Sequence, residues 1–255
     1  MRNILAIAHK ELKSYFASPI AYVVIGLFAL LYGYFYAVML AYFVRAGMNM
    51  NPLQGQQVLN INQDMLRPVL QNVTVLLLFV LPAMTMRTYS EERRSGTIEL
   101  LLTSPLTDWQ IVLGKFVGAL ALYLVMLAVT LVHTAVLFVY GSPEVKPILT
   151  SYLGLVLLGG SFLSVGLFIS TLTTNQIVSY IVTFSVFLLL WVINWFGSFS
   201  SGVMSDLTSY LSIIEHFDDF SKGVIDTTHV IYYLSLITFG LFLTAKSVDT
   251  ERWRG

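Results

Sequence analysis

The chain has 255 residues, of which 56% are hydrophobic and 11% are charged, and its formal net charge is zero. A soluble domain carries about 25% charged residues, so the composition excludes an ordinary soluble protein. The balanced charge excludes the basic surface of a nucleic-acid-binding protein, and the absence of cysteine excludes a disulfide framework. The long apolar runs predict an all-α, polytopic membrane protein, since a β-barrel would show alternating segments of about ten residues.

The first 18 residues are mixed rather than apolar. They carry His9, Lys10, Glu11 and Lys13, and apolar residues recur between these at helical spacing. This pattern predicts an amphipathic helix that lies along the membrane interface, with its basic residues facing headgroups and water. A simple positively charged flank before the first span is the alternative interpretation. Pro19 marks the turn into the membrane.

Six apolar runs predict six transmembrane helices in one transmembrane domain that covers residues 1–255. The predicted spans are about 20–44, 69–86, 111–140, 148–171, 177–196 and 229–248.

Small residues at four-residue spacing recur within these spans. Gly114 and Gly118 form one such pair, and Gly160/Ser164 and Gly166/Ser170 form two more on the fourth span. Small residues at this spacing let helix backbones approach closely, so the fourth span is expected to pack on two faces. His133 lies alone in the third span and is expected to be a packed residue rather than a ligand.

The segment RTYSEERRSGTIELLLTSP, residues 87–105, is the densest charge cluster in the chain and separates the second and third spans. We call it the elbow. One charged residue at a bilayer centre costs about 2.5–3.5 kcal/mol on insertion scales, so the elbow is expected at a membrane surface. It is predicted to form two short helices broken at Gly96, with Thr107 as the N-cap of the next helix. From the residues alone, a passive connector and a functional segment are equally acceptable.

The segment between the fifth and sixth spans, residues 197–228, is not simply polar. Large apolar residues recur at helical spacing beside acidic ones. In water these apolar residues would form an exposed patch, and in lipid the acidic residues would be costly. One or two short helices that dip into the membrane resolve this conflict. Their apolar face is expected against the fifth and sixth spans, with the acidic residues toward water or a polar cavity. The residues concerned are Leu211, Ile214, Phe217, Asp218, Asp219 and Phe220.

Basic residues are distributed unequally between the two sides of the predicted spans. Ten of the 14 Lys and Arg residues fall on the side that holds the elbow and both termini. The positive-inside rule therefore predicts that the elbow and both termini are cytoplasmic. Asn51 and Ser201 are predicted on the outer side.

Catalytic and energy-coupling motifs are absent from the sequence. No G-x-x-x-x-G-K-[ST] string occurs, and neither H-E-x-x-H nor G-x-S-x-G is present. The first, second, fourth and fifth predicted spans carry no Asp, Glu, Lys or Arg, although ion-driven transporters usually keep ionisable residues there. We therefore expect a chain that is not itself an enzyme, binds no cofactor, and receives its energy at a membrane surface.

Four stretches, in order along the chain, resemble one family. They are KELKSYFASPIAY at 10–22, EERRSGTIELLLTSP at 91–105 with Gly114-Lys115 after it, GLFISTLTTNQI at 166–177 and HFDDFSKGVID at 216–226. They resemble the permease subunits of ABC-2 type transporters, and most nearly the gliding-motility and nitrous-oxide-reductase-maturation types.

The resemblance implies an export permease in the inner membrane of a bacterium. Two copies of a separate ABC ATPase would bind ATP and Mg²⁺, and a second copy of this chain or a paralogous permease would complete the membrane unit. In the family the elbow couples to the ATPase, and re-entrant helices before the last span cap the exit path, which makes residues 211–225 an outer gate or a partner-docking surface. A lateral packing helix is the alternative for that segment. The implied coupling residues are Glu91, Glu92, Arg93, Arg94, Gly96, Thr97, Glu99 and Pro105.

Two questions of function stay open at this point. The alternative to export is an ATPase-driven module that does mechanical or assembly work on envelope proteins, with an envelope accessory protein as a further partner. The sequence names no substrate, although a mostly uncharged interior suits lipid-like or amphipathic cargo better than ions.

Overall fold

A computed structural model describes residues 2–49, 59–199 and 202–252, so the predicted outer positions Asn51 and Ser201 lie outside the described residues. Within these ranges the chain forms helices and no strands. A π-helical turn, Ile61–Leu66, leads directly into the third helix. The α-helices are α1 Arg2–Ala17, α2 Pro19–Met48, α3 Arg67–Thr85, α4 Ser90–Ser95, α5 Ile98–Leu102, α6 Asp108–Tyr140, α7 Val145–Thr171, α8 Gln176–Phe199, α9 Val203–Leu211, α10 Ile213–Ser221 and α11 Thr227–Arg252.

Six of the described helices are long and apolar enough to cross a membrane: α2, α3, α6, α7, α8 and α11. This confirms the predicted all-helical fold with six spans. Several of the helices run past the predicted spans, because the backbone hydrogen bonds of a helix continue into its polar ends. α2 reaches Met48 and α11 reaches Arg252. The six crossings place α1, the elbow and the end of α11 on one side, which we call the elbow side.

α7 and α3 form the centre of the bundle. Their most apolar windows are 72% and 67% buried, whereas those of α2 and α8 are each 17% buried. α7 can lie centrally because its glycines admit close neighbours. A methyl group at Gly159 would overlap the ring of Tyr123, and one at Gly166 would overlap Thr85 of α3. Tyr123 also donates a 2.7 Å hydrogen bond to the carbonyl of Leu155. Peripheral α2 and α8 present apolar faces to their surroundings.

The three small-residue pairs lie at helix contacts, as predicted. Ser164 packs against Gly240 of α11, and Gly166 packs against α3, so α7 does use two faces. Gly114 and Gly118 lie beneath α1, where added methyl groups would overlap Ile7 and Glu11. The N-terminal helix is therefore packed onto the start of α6 as well as lying at the end of the bundle.

Candidate functional site

The elbow side contains a buried group of charges that joins three segments of the chain. The ammonium of Lys115, on α6, lies 2.8 Å from Glu92 Oε1 in the elbow and 3.1 Å from Glu11 Oε1 in α1. It donates a third hydrogen bond of 3.0 Å to the carbonyl of Thr88, and the ring of Tyr89 lies 4.9 Å away. Lys115 is 1% exposed. We call Glu11, Glu92 and Lys115 the charged junction.

The hydrogen bonds of the junction hold its three segments together. A buried ammonium needs its donors satisfied, and here two carboxylates and one carbonyl satisfy all three. Removing one member of a buried ion pair typically costs about 3–5 kcal/mol, because a charge is left without a partner. The junction therefore ties the elbow to α1 and to the start of α6.

Further contacts connect α1 to the elbow. The hydroxyl of Tyr15 lies 3.3 Å from Thr88 Oγ1 in the elbow and donates a 3.0 Å hydrogen bond to the carbonyl of Met84 at the end of α3. Burial raises the pKa of this phenol to about 12. Arg87 pairs with Glu91 at 2.7 Å and donates a longer, 3.4 Å hydrogen bond to Ser18. The first residues after α3 are therefore fixed against the N-terminal helix.

The elbow is also joined to α7 and α11. The hydroxyl of Ser170, near the end of α7, accepts hydrogen bonds from the backbone N–H groups of Tyr89 at 3.0 Å and Ser90 at 3.2 Å. Arg93 pairs with Glu251 of α11 and donates to the carbonyl of Thr171. Arg252 in turn pairs with Asp108 at the start of α6, at 3.0 Å. Elbow, α6, α7 and α11 thus meet at one end of the bundle.

The structure divides the predicted coupling residues into two groups. Glu92 and Arg93 point back into the protein and pair with Lys115 and Glu251, whereas Glu91 pairs with Arg87 and keeps a side chain that is 46% exposed. Five others are exposed, and along the chain they lie on both sides of Leu100, which is 74% exposed. The exposed five are Arg94, Gly96, Thr97, Glu99 and Pro105. The sequence did not single out Leu100, because a leucine within three consecutive leucines is expected to be buried.

Local structure explains why Glu99 and Leu100 are exposed. Gly96 ends α4 with φ of +73°, a left-handed conformation that favours glycine. α5 then begins within two residues and buries only Ile98 of its first turn. Thr107 caps α6 in a capping box with Gln110, as predicted for that position. The left-handed turn sets α5 off from α4 and leaves Glu99 and Leu100 outside.

The predicted interfacial segment forms helix α1, and its four predicted residues differ in exposure. His9, Lys10 and Lys13 are exposed on α1, as expected for residues that face headgroups and water. Glu11 is instead buried, 9% exposed, because α1 turns it toward Lys115. Its role is internal pairing, which the local pattern of α1 could not show.

At the opposite end of the bundle, α9 and α10 form a cap over the spans, which we call the outer cap (203–221). Phe217 and Phe220 are 1% and 0% exposed. Phe220 lies directly over Gly154 of α7, and its carbonyl accepts a 2.9 Å hydrogen bond from Thr150. Of the other predicted gate residues, Ile214 is half-buried, whereas Leu211 is 45% exposed.

The expected packing of the outer cap needs one correction. α9 lies along α8, the fifth span, and α10 touches α8 and α11. The apolar side of α10, however, also covers α7, the fourth span, and α3. The physical reason is Gly154, because a methyl group added there would lie only 2.8 Å from Cβ and Cγ of Phe220.

The acidic residues of the cap are paired rather than simply solvated. Asp218 lies 2.5 Å from Arg67 and 2.6 Å from Lys222, and accepts a 2.9 Å hydrogen bond from Gln71. Burial opposes its charge, but Lys222 and Arg67 outweigh this and lower its pKa. Asp219 lies 2.9 Å from His229 and 3.0 Å from Lys222. These bonds lower its pKa as well.

Two histidines join the cap to the last span. His216 Nδ1 lies 2.7 Å from His229 Nδ1, and His216 Nε2 lies 2.9 Å from the carbonyl of Tyr210. A carbonyl only accepts, so His216 Nε2 carries a proton, and in neutral His216 the Nδ1 atom accepts a hydrogen bond from Nδ1–H of His229. Burial lowers the pKa of His216. The two histidines lie 13 positions apart in unrelated patterns, so no sequence signal pairs them.

Comparison with known proteins yields one family and one group of curated relatives. Residues 5–247 match the model of the family described as ABC-2 family transporter protein. The probable multidrug ABC transporter permease YbhR of Escherichia coli K12 is 30% identical over 138 residues. The same protein from Escherichia coli O157:H7 matches equally. The alignment covers 53% of this chain and 37% of that relative's length. Neither comparison supports the gliding-type or maturation-type alternative.

Proposed function

The chain belongs to the ABC-2 family of transporter proteins, and from this premise we propose that it is the membrane subunit of an ABC exporter powered by a separate ATPase. The observation that carries the proposal is the division of the elbow into an outward and an inward half. Leu100, Glu99 and Arg94 face outward, whereas Glu92 and Arg93 face inward. A segment that both receives and passes on movement needs these two halves.

The outward half is suited to docking. A leucine that is 74% exposed and flanked by charges of both signs resembles the centre of a small protein interface, with an apolar residue surrounded by polar ones. We infer that the ATPase presents an apolar pocket to Leu100 and complementary charges to Glu99 and Arg94. ATP and Mg²⁺ are bound by that subunit, because this chain has no phosphate-binding loop in its sequence.

The inward half is suited to transmission. Glu92 reaches Lys115 at the start of α6, and Arg93 reaches Glu251 at the end of α11. Closure of two ATPase copies would displace the elbow and, through these ion pairs, tilt α6 and α11. The remaining half of the membrane unit is a second copy of this chain or a paralogous permease.

Sidedness and cargo complete the proposal. The elbow and both termini face the cytoplasm of a bacterium, as the basic residues on that side favour, and the outer cap covers the exit. The relative named as a multidrug permease and the mostly uncharged spans favour amphipathic or lipid-like cargo.

The docking claim is tested with an affinity-tagged chain purified from its own membranes. The intact chain is expected to bring down a protein that hydrolyses ATP. Leu100→Glu is expected to lower the recovered ATPase at least about tenfold, because a buried unpaired charge costs more than 1.4 kcal/mol. Leu172→Glu is the matched control, since Leu172 is also exposed on the elbow side. Equal recovery with both variants would contradict docking at Leu100, and no ATPase with the intact chain would contradict the function.

The sidedness claim has its own test. Because the chain has no cysteine, single cysteines can be placed at Ser95 and Ser247 on the elbow side and at the exposed Val224 on the other. Val224→Cys is expected to react with an impermeant thiol reagent in spheroplasts. Ser95→Cys and Ser247→Cys are expected to react only after permeabilisation, and the reverse pattern would contradict the orientation.

A further inference from the structure

A cavity of about 140 Å³ lies between α1 and the elbow, beside the charged junction. Its wall includes Ser18 and Ile20, where α2 begins, and Arg87 and Thr88, just after α3 ends. Since α2 and α3 are spans, the cavity lies at the level where the hydrocarbon ends. A cavity of about 10–15 Å³ on the same measure holds one water molecule, so the space suits a polar group much larger than a water.

The cavity carries unfilled hydrogen-bonding capacity of both signs. The Lys10 ammonium lies 3.7 Å from Glu11 and 3.8 Å from Glu92, which is too far for hydrogen bonds. On the acidic side, the Glu91 side chain is 46% exposed, and Glu92 lines the cavity with a side chain that is 18% exposed. Donors and acceptors are therefore both available within one small space.

This combination discriminates between ligand classes. A simple anion would meet the carboxylates of Glu11, Glu91 and Glu92, and a simple cation would meet Lys10 and Arg87. A zwitterion satisfies both signs, with its anionic end toward Lys10 and Arg87 and its cationic end toward Glu91 and Glu92. Charge-assisted hydrogen bonds of this kind are the stronger ones in proteins.

We propose that this cavity binds the phosphoethanolamine headgroup of a membrane phospholipid. The position at the end of two spans favours a lipid, whose acyl chains can lie beside Ile20 and the start of α2. The primary ammonium of ethanolamine donates three hydrogen bonds to carboxylates, whereas the trimethylammonium of choline donates none. A glycerol headgroup brings no cation for the three glutamates. Because Glu92 also binds Lys115, the bound headgroup becomes part of the charged junction.

Lipid binding is measured on the purified full chain, freed of lipid in detergent. Phosphatidylethanolamine, phosphatidylcholine and phosphatidylglycerol with identical acyl chains are added separately, and retained lipid is counted by native mass spectrometry. Phosphatidylethanolamine is expected to be retained about tenfold better than either of the others, since one charge-assisted hydrogen bond is worth about that factor. Equal retention of all three would overturn the proposal.

Matched variants locate the site. Lys10→Ala and Lys13→Ala remove the same charge three residues apart on exposed positions of α1, but only Lys10 borders the cavity. Lys10→Ala is expected to abolish the preference for ethanolamine, and Lys13→Ala to retain it. Ser14→Phe, which fills the cavity from an exposed position, should act like Lys10→Ala. Identical behaviour of the two lysine variants would overturn the assignment to this cavity.

A competition experiment separates a lipid from a soluble ligand of the same chemistry. Glycerophosphoethanolamine, which has the headgroup without acyl chains, is expected to displace the lipid only at a concentration at least about a hundredfold higher. Displacement at equal concentration would assign the cavity to a soluble phosphate-bearing amine and overturn the lipid proposal. None of these measurements involves an ATPase, so their outcome is independent of the proposed transport function.

Discussion

The two ends of the molecule are both held by charged residues, but in different ways. At the elbow side, Lys115 is 1% exposed and satisfied by Glu11, Glu92 and a backbone carbonyl. At the outer cap, the pairs of Asp218 and Asp219 are formed by side chains that are about one-third exposed, and a histidine pair completes them. Buried, fully satisfied charges resist separation, whereas partly solvated pairs exchange readily with water. The elbow side is therefore expected to be the more strongly held of the two ends, and the outer cap the easier one to separate from the spans.

The largest effect is expected from Lys115→Ala, because it leaves the carboxylates of Glu11 and Glu92 buried together. Loss of about 3–5 kcal/mol of stability is expected, seen as a large drop in melting temperature and yield in detergent. Lys146→Ala, at an exposed position outside the junction, is expected to change stability by less than about 0.5 kcal/mol. Adding Glu92→Gln to Lys115→Ala should restore part of the loss, and similar melting of both single variants would contradict a buried junction.

The next effect is expected at the outer cap, from Phe220→Ala. Truncating a fully buried phenylalanine costs about 3–5 kcal/mol in a core, but here the loss is confined to the cap. Hydrogen exchange of α10 should therefore accelerate while α6 and α7 stay protected. Leu211→Ala, at a half-exposed position of the same cap, should have a much smaller effect. A uniform loss of protection across the bundle would show that the cap is not a separate unit.

A smaller effect is expected from Gly96→Ala, since only the backbone conformation is disturbed. Gly96 and Gly26 both have open space where a methyl group would be added, but only Gly96 has a positive φ. Gly96→Ala should cost about 1–2 kcal/mol locally and reduce ATPase recovery, whereas Gly26→Ala should be neutral or slightly stabilising. Equal ATPase recovery with both variants would show that the left-handed turn at Gly96 is not needed for docking of the ATPase.

The smallest effect is expected from pH, because it acts through one hydrogen bond. Burial lowers the pKa of His216 from 6.5. The stability that its neutral form contributes to the cap is therefore complete above pH 6.5 and is lost as the pH falls below that value. Protonation would place two N–H donors face to face between His216 and His229, although nearby Asp219 and Glu215 oppose this by favouring the cation. The pKa of Asp219 is lowered from 3.8, so that carboxylate stays charged between pH 6.5 and 4.5.

The measurement is hydrogen exchange of α10 between pH 7.5 and 4.5, corrected for the intrinsic rate of exchange. In the unmodified chain, the protection of α10 from hydrogen exchange should decrease as the pH is lowered. His216→Phe should show little pH dependence, and His9→Gln, at an exposed position of α1, should behave like the unmodified chain. A pH dependence that survives in His216→Phe would assign the effect to another group.

Much of this architecture was predictable from local pattern. Lipid accepts long apolar helices and rejects charge, so the spans and the position of the elbow follow from composition alone. Close packing needs small residues, so Gly114, Gly118 and the two pairs on α7 indicate helix contacts. Gly96 indicates the end of one helix, and Thr107 indicates the start of another. These features depend on residues within a few positions of one another, which sequence displays directly.

Pairings between distant residues were not predictable. Glu11 and Lys115 lie 104 positions apart, and each alone reads as an ordinary charge near a membrane surface. The residue that Phe220 covers, Gly154, lies on the fourth span rather than on the neighbouring fifth or sixth. Sequence thus determined which segments cross the membrane and which cannot. Only the tertiary structure decided which charges meet, because ion pairs and close packing depend on how helices are arranged around α7, and that arrangement leaves no local periodicity in the chain.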